Sequence, residues 1–366
     1  MIESWHRETL VKVDLDAIRE NIRALKAIVS DKPIWAVVKA NAYGHGARAV
    51  ARAVSDLVAG FCVSNLDEAL EIREMVEELP ILVLSGIPVE DAMLARDKEI
   101  SLTAPSLEWL SNLTAQNADL TGLSLHLKVD SGMGRIGVRQ ADEANQMIAM
   151  MDAAAVKFDG VFTHFATADE ADTSHYESQV ARFSELLSNL TRRPTYVHST
   201  NSAAALWHQA EICDFVRLGI GMYGLNPSGV ALESPIKLQP ALSLSTKLSH
   251  VKELPAGESV GYGAEFTATE PTWVGTLPIG YADGWSRSLT GFHVLVDGQL
   301  CEIIGRVSMD QTTICLPHAY PIGTPVVLIG QSGDLAVSAQ DVADYRGTIH
   351  YEVLCGLSDR IPRTYE

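Results

Sequence analysis

The 366-residue chain has no run of apolar residues approaching the length of a membrane span, which predicts that no helix crosses a bilayer. It also lacks an excess of positive charge: 28 Lys and Arg face 46 Asp and Glu, for a formal net charge of -18. That balance disfavours nucleic acid and anionic membrane as partners. The first residues, Met1 to Glu8, are polar and carry no signal-peptide core. Cysteine is sparse, and the five present (Cys62, Cys213, Cys301, Cys315 and Cys355) are odd in number, scattered and never in a C-x-x-C spacing. These are expected to be reduced core residues of a cytosolic protein rather than disulfide or zinc partners. Fixed-period repeats and low-complexity tracts are missing too, so solenoid and disordered classes drop out.

What is present is alternation. Leu10 to Val13 reads as a short strand, and Asp16 as the cap of a helix with Ile18, Ile22, Leu25 and Ile28 or Val29 on one face. Apolar, strand-like runs then fall near 34–38, 58–63, 80–84, 100–102, 123–129, 158–163, 195–198 and 214–218. Helical patterns such as Leu66 to Met75, Ala141 to Met151 and Tyr176 to Leu190 lie between them. Strands that alternate with helices predict a parallel sheet. Eight of them in about 200 residues suit an α/β fold of the (β/α)8 TIM-barrel type, with an open doubly wound sheet as the alternative. Beyond Asn226-Pro227-Ser228-Gly229 the texture changes to short β-type runs, with one helical stretch near Ser338 to Tyr345. The expected division is a barrel over 9–228 and a mostly β C-terminal domain over 229–366, with 1–8 packing against the latter.

One stretch carries unusual chemistry. Pro33 to Val38 is apolar and of strand composition, and it ends abruptly in Lys39, followed by the turn Ala40-Asn41-Ala42-Tyr43-Gly44-His45-Gly46. An amine in a partly dry pocket loses proton affinity, and lysines so placed form Schiff bases. On that stretch alone, a strand-end lysine reaching into water explains it as well.

The other strands supply the context. Barrel chemistry gathers at the C-terminal ends of the strands. There the sequence places Ser64-Asn65, Leu84-Ser85-Gly86, Lys128 with Asp130 and Arg135, His164, His198 to Ser202, and Arg217 with Gly219-Ile220-Gly221. Small residues and hydroxyls after strands seven and eight suit a phosphate. A Schiff-base lysine on the same rim as a phosphate cradle suggests pyridoxal phosphate. Gly132-Met133-Gly134-Arg135-Ile136-Gly137 fits the G-x-G-x-x-G dinucleotide pattern, but Lys128, Asp130 and Ser131 put polarity before it, where a dinucleotide strand runs apolar into its turn.

Together these residues resemble the bacterial alanine racemases, fold-type III pyridoxal phosphate enzymes, over about residues 9 to 360. The resemblance rests on Ala36 to Gly46, Leu127 to Arg135, Val260-Gly261-Tyr262-Gly263 and Arg306 to Gln311. It implies a cytosolic homodimer that interconverts L- and D-alanine for peptidoglycan synthesis. Lys39 would hold the cofactor aldehyde and act as base on one face of Cα, and Tyr262 of the partner would act on the other. His164 and Arg217 would support Tyr262, and Arg217 would face the pyridine nitrogen. Tyr43, Leu84, Ser202, Gly219, Ile220 and Tyr351 would contact the cofactor, with Arg135 shared between cofactor and substrate. Met309, Asp310 and Tyr281 would face the substrate. Tyr262, Tyr281, Tyr351, Arg287 and Ile349 resemble an inner gate for small substrates, and Asp169 and Arg306 an outer ring. Lys128 matches a lysine that is carbamylated in many members. Glu265 departs from the small polar residue commoner there. Other readings are a serine or broader racemase, a fold-type III decarboxylase of basic amino acids, and a non-catalytic pyridoxal phosphate carrier.

Overall fold

The architecture is that of a computed structural model, which describes residues 2–30, 32–116, 118–208 and 212–366. The chain forms two compact units: one spans Asp16–Ala42 and Gly46–Gln239, the other the chain up to Leu15, Tyr43–His45 and Pro240–Glu366.

The first unit contains eight parallel strands among the described residues. After β1 (Leu10–Val13), which belongs to the other unit, they are β2 (Ile34–Val37), β3 (Gly60–Val63), β4 (Ile81–Val83), β5 (Ile100–Ala104), β6 (Ser124–Lys128), β7 (Lys157–Phe162), β8 (Tyr196–His198) and β9 (Val216–Leu218). Each pairs with the next from β2 to β8, and β2 pairs with β9, so the first and last strands of the series are neighbours. Between β8 and β9, Asp214 N–H donates to Val197 O at 2.7 Å and Arg217 N–H to Thr200 O at 3.0 Å. That order is the (β/α)8 barrel and excludes an open doubly wound sheet, in which the first and last strands lie apart. The strands are buried on both faces, which is why they read as unbroken apolar runs.

All eight strands lie where the apolar runs predict them. Helices Leu66–Arg73, Ala141–Ala153 and Ser174–Ser188 agree to within a few residues. The helix Leu15–Ile28 buries Ile18, Ile22 and Leu25 as its periodicity requires, but it starts one residue before Asp16, which therefore lies in the first turn rather than capping it.

The second unit is mostly β. Its larger sheet holds β1 between Leu242–Lys247, antiparallel, and Arg363–Tyr365, parallel. The barrel expected from residue 9 thus begins later, because β1 finds its hydrogen bonds in the β unit. A second sheet comprises His250–Leu254, Thr272–Leu277 and Thr312–Leu316. The run expected over Leu242 to Val251 is two strands, since the chain turns at Leu248 and Ser249. Besides the expected helix at Ala339–Arg346, which Ser338 and Asp341 cap reciprocally, a second helix occupies His350–Cys355.

Candidate active site

Lys39 leaves β2 into a turn of rare conformation. Ala40, Asn41, Ala42 and Tyr43 are all left-handed, with φ of 52, 52, 53 and 54°. Left-handed backbone costs a residue with a Cβ about 1–2 kcal/mol, so something must hold this turn. Ala40 N–H donates to Glu68 Oε1 at 2.8 Å, and the other oxygen of Glu68 takes the Ser64 N–H at the end of β3. Asn41 Oδ1 accepts from Ala47 N–H at 2.8 Å. Upstream, Tyr223 Oη donates to Val37 O at 2.9 Å. Glu68 and Tyr223 were invisible as site residues in the sequence; each lies on an unremarkable helical turn.

Around the barrel rim the charges converge. His164 has its imidazole driven well below the ordinary value by burial first, then by Arg217, Lys128, Arg135 and Lys39. Four basic side chains therefore act on one neutral ring in a chain of net charge -18. Lys128 is 2% exposed, its Nζ 2.7 Å from Val129 O and 5.3 Å from the Phe162 ring centre. Burial, then Arg217, push its amine from 10.5 down to about 7.

Arg217 is 3% exposed. Its Nη1 donates to His198 Nδ1 at 2.7 Å, and its Nη2 to Thr163 O and Ser199 O at 2.9 and 3.1 Å. All these acceptors are neutral. Desolvation lowers the guanidinium to about 10. Because Arg217 can only donate, His198 Nδ1 is an acceptor, and the proton of that neutral ring lies on Nε2, which faces His126 Nδ1 at 2.9 Å. Burial holds both imidazoles below their usual range, His126 at about 4. Gly160 on β7 makes room for this chain: a Cβ there would lie 2.0 Å from His126 Nδ1. The sequence placed His198 and Arg217 at the rim, but not their link or His126 behind them, because a single histidine inside an apolar strand gives no spacing signal.

Ser202, Gly219 and Ile220 come together as the rim pattern predicts. Ser202 Oγ accepts from Gly219 N–H at 2.9 Å and from Gly221 N–H at 3.3 Å, and a Cβ on Gly221 would lie 3.4 Å from that of Ser202. The result is a close cluster of one hydroxyl and a glycine turn at the start of helix Ser202–Trp207. Leu84 ends β4, its N–H on Val63 O. The glycines 132 and 134 point their N–H groups at Asp130 Oδ1, at 3.1 and 2.9 Å. They wrap a carboxylate and carry Arg135 in the same loop, which leaves the dinucleotide pattern without its N–H donors.

In the β unit, Tyr43 and Tyr351 lie with ring centres 6.1 Å apart. Gly44 between Tyr43 and His45 is dictated by contact, since a Cβ would lie 2.3 Å from Leu354 O. Tyr262 is 70% exposed and shares a cavity of about 510 Å³ with Tyr281, Arg287 and Val307. Tyr281 N–H donates to Ser308 O and Ala282 N–H to Met309 O, both at 3.0 Å, so the two turns are stitched together. Asp310 Oδ1 takes Arg360 Nη2 at 2.8 Å, and the buried Asp283 anchors Arg7 through both oxygens. Among the described residues no cluster of His, Cys, Asp and Glu could hold a metal, and no helix is long and apolar enough to cross a membrane.

A parallel barrel with a strand-end lysine, a basic rim and a serine–glycine cluster defines a class: α/β-barrel proteins suited to seating an anionic group. Comparison with known proteins narrows it. Residues 13–227 match the model of the alanine racemase N-terminal domain and 241–365 that of the C-terminal domain. The alanine racemases of Lactococcus lactis subsp. cremoris and Streptococcus thermophilus are 56% and 58% identical, with full coverage of both chains. Among solved structures, alanine racemase from E. faecalis superposes with a TM-score of 0.97 at 45% identity over 100% of each chain. A histidine racemase from Leuconostoc mesenteroides subsp. sake gives 0.93 at 33% identity, covering 100% of this chain and 99% of its own. The chain belongs to the alanine racemase family.

Proposed function

We propose that the protein is a pyridoxal phosphate-dependent alanine racemase acting as a homodimer, with Lys39 and the Tyr262 of a partner copy working on opposite faces of Cα. The carrying observation is the rim itself: four basic side chains that act on His164, with a buried Arg217 satisfied by neutral acceptors alone. Such a pocket favours a ligand that is anionic at two ends, and both the cofactor phosphate and a substrate carboxylate fit. The residues suit the cofactor chemically. Ser202, Gly219 and Ile220, with Tyr43 and Tyr351, would hold the phosphate, and Arg135 the phenolic oxygen.

Pyridoxal phosphate, when bound, supplies a conjugated ring that delocalises the electron pair left on Cα once its proton has gone. The chain's own residues do the rest. Lys39 Nζ would hold the cofactor through its aldehyde and would take or return the proton on the D face of Cα. Tyr262 Oη takes or returns the proton on the L face. Arg217 presents a cation and no acceptor, so it would oppose addition of a proton to a cofactor ring nitrogen that faced it. Met309 and Asp310 are assigned to the substrate side, and Tyr281 with Tyr262 to the restriction that favours a small side chain. The lowered proton affinity of Lys128 makes its uncharged amine more accessible than that of an ordinary lysine; that form adds CO2 and releases a proton to give a carbamate, and the resulting anion would orient Arg135. Intact-mass analysis of native protein, read for the added mass of CO2 at Lys128, decides that assignment.

Proton exchange at Cα, followed side by side for alanine, serine, lysine and histidine, tests the activity. Alanine should exchange fastest, and faster exchange with histidine or serine would replace alanine as the substrate. Lys39→Ala should leave no cofactor absorption that borohydride bleaches.

A further inference from the structure

We propose that Glu265 is a positioning residue for Tyr262: its carboxylate, held by Arg306, pins the loop that presents the phenol. The inference rests on Tyr262 as the L-face proton-transfer group. Residues 261–265 join the two-residue strands Ser259–Val260 and Phe266–Thr267. All five loop residues are exposed within a single chain, so packing inside the subunit does not order them. Three of the five have positive φ: Gly261 at 74°, Gly263 at 80° and Ala264 at 48°. The last carries a Cβ and is strained there. Within the loop, one long backbone hydrogen bond runs from Ala264 N–H to Gly261 O at 3.3 Å. Left to itself, such a loop would sample several conformations, and Tyr262 with it.

Arg306 supplies the missing constraint. Its backbone runs along one glycine, so that a Cβ on Gly261 would lie 3.4 Å from Arg306 N. Its guanidinium covers the other, 3.4 Å from where a Gly263 Cβ would be. The two glycines bracket Tyr262, and Arg306 packs on both. The guanidinium in turn needs an anchor, and Nη2 donates to Glu265 Oε1. That contact holds the Glu265 carboxyl below its usual range, with Arg287 adding to the pull, and raises Arg306 above its own. Both shifts favour the ionised pair. An exposed pair contributes little to global stability, and its consequence is local: it fixes the loop at both ends of the turn and so the place of the phenol.

The test uses the full-length holoenzyme with Glu265→Gln, Arg306→Gln and the swap Glu265→Arg/Arg306→Glu. Amide hydrogen exchange in 259–267 should quicken in each single variant and return toward wild type in the swap. A misplaced proton donor can cost on the order of 10²-fold in rate, so a loss of about tenfold in kcat is expected for a loosened one. The α-deuterium isotope effect should rise for L-alanine and stay unchanged for D-alanine, a difference that general damage to the fold does not produce. Unaltered loop exchange in both single variants, or isotope effects rising equally for the two enantiomers, would overturn the proposal. If the wild-type enzyme fails to racemise alanine, the activity reading fails, while the exchange data still decide whether the pair orders the loop.

Discussion

At the scale of single residues, burial that outweighs any nearby counter-charge does most of the chemical tuning. Lys128 shows it most directly. Folded, its amine gives up its proton near 7, while the unfolded chain keeps it to the ordinary 10.5. Between those values unfolding takes up a proton, so stability must rise with pH across that window. In carbon dioxide-free buffer, the denaturant midpoint of wild-type protein is expected to climb from pH 7 to 10, and that of Lys128→Met to climb much less. Equal slopes would mean that the amine is already hydrated and charged in the folded state. Lysine, arginine and histidine at strand ends were legible in the sequence because their types stand out against apolar runs. Their depressed proton affinities were not, because desolvation depends on what packs above them.

At the scale of elements, two local conflicts reveal what the fold imposes. Four consecutive left-handed residues after Lys39 run against ordinary propensity. Only Asn41 hinted at it, asparagine being tolerant of that region. Ala40 is exposed, so it isolates the backbone effect. Ala40→Val should destabilise by about 1–2 kcal/mol, since a β-branched side chain suits a left-handed residue least. Ala40→Gly should be close to neutral, relief of strain offsetting the added freedom of the unfolded chain. Thermal melts of the two variants give the comparison, and equal losses would locate the cost elsewhere. The second conflict is Gly160 within β7. With a Cβ 2.0 Å from His126 Nδ1, Gly160→Ala has to displace the imidazole chain behind Arg217. A loss at the upper end of the overpacking range, about 3 kcal/mol, is expected, together with a fall in kcat because Arg217 loses its backing. A variant with unchanged turnover would show that His126 and His198 are packing alone.

At the scale of the whole molecule, a shared site makes a quantitative claim about assembly. Lys39→Ala and Tyr262→Phe should each be nearly inactive as homodimers. Mixed and allowed to exchange subunits, half the dimers are heterodimers, and each of those carries one site with both native groups. Activity should recover to on the order of a quarter of wild type. No recovery, with exchange confirmed by mass, would place both groups in one copy of the chain.

Sequence alone determined the strand series, the barrel class, the β-rich second half and the rim clusters, because those depend on which residues are apolar and how they are spaced. It also singled out Lys39, Arg217, Ser202 and Gly219 by position relative to strand ends. It did not assign β1 to the β unit, separate Leu242–Lys247 from His250–Leu254, or find the helix His350–Cys355. Those depend on which partner a short segment pairs with, and short segments carry too few residues to specify a partner locally. Only the tertiary structure decided that Glu68 holds the left-handed turn, that two histidines stand behind Arg217, and that Arg306 reaches across Gly263 to Glu265. Each is a contact between residues distant in the chain, and a hydrogen bond or ion pair of that kind leaves no period or spacing in a sequence.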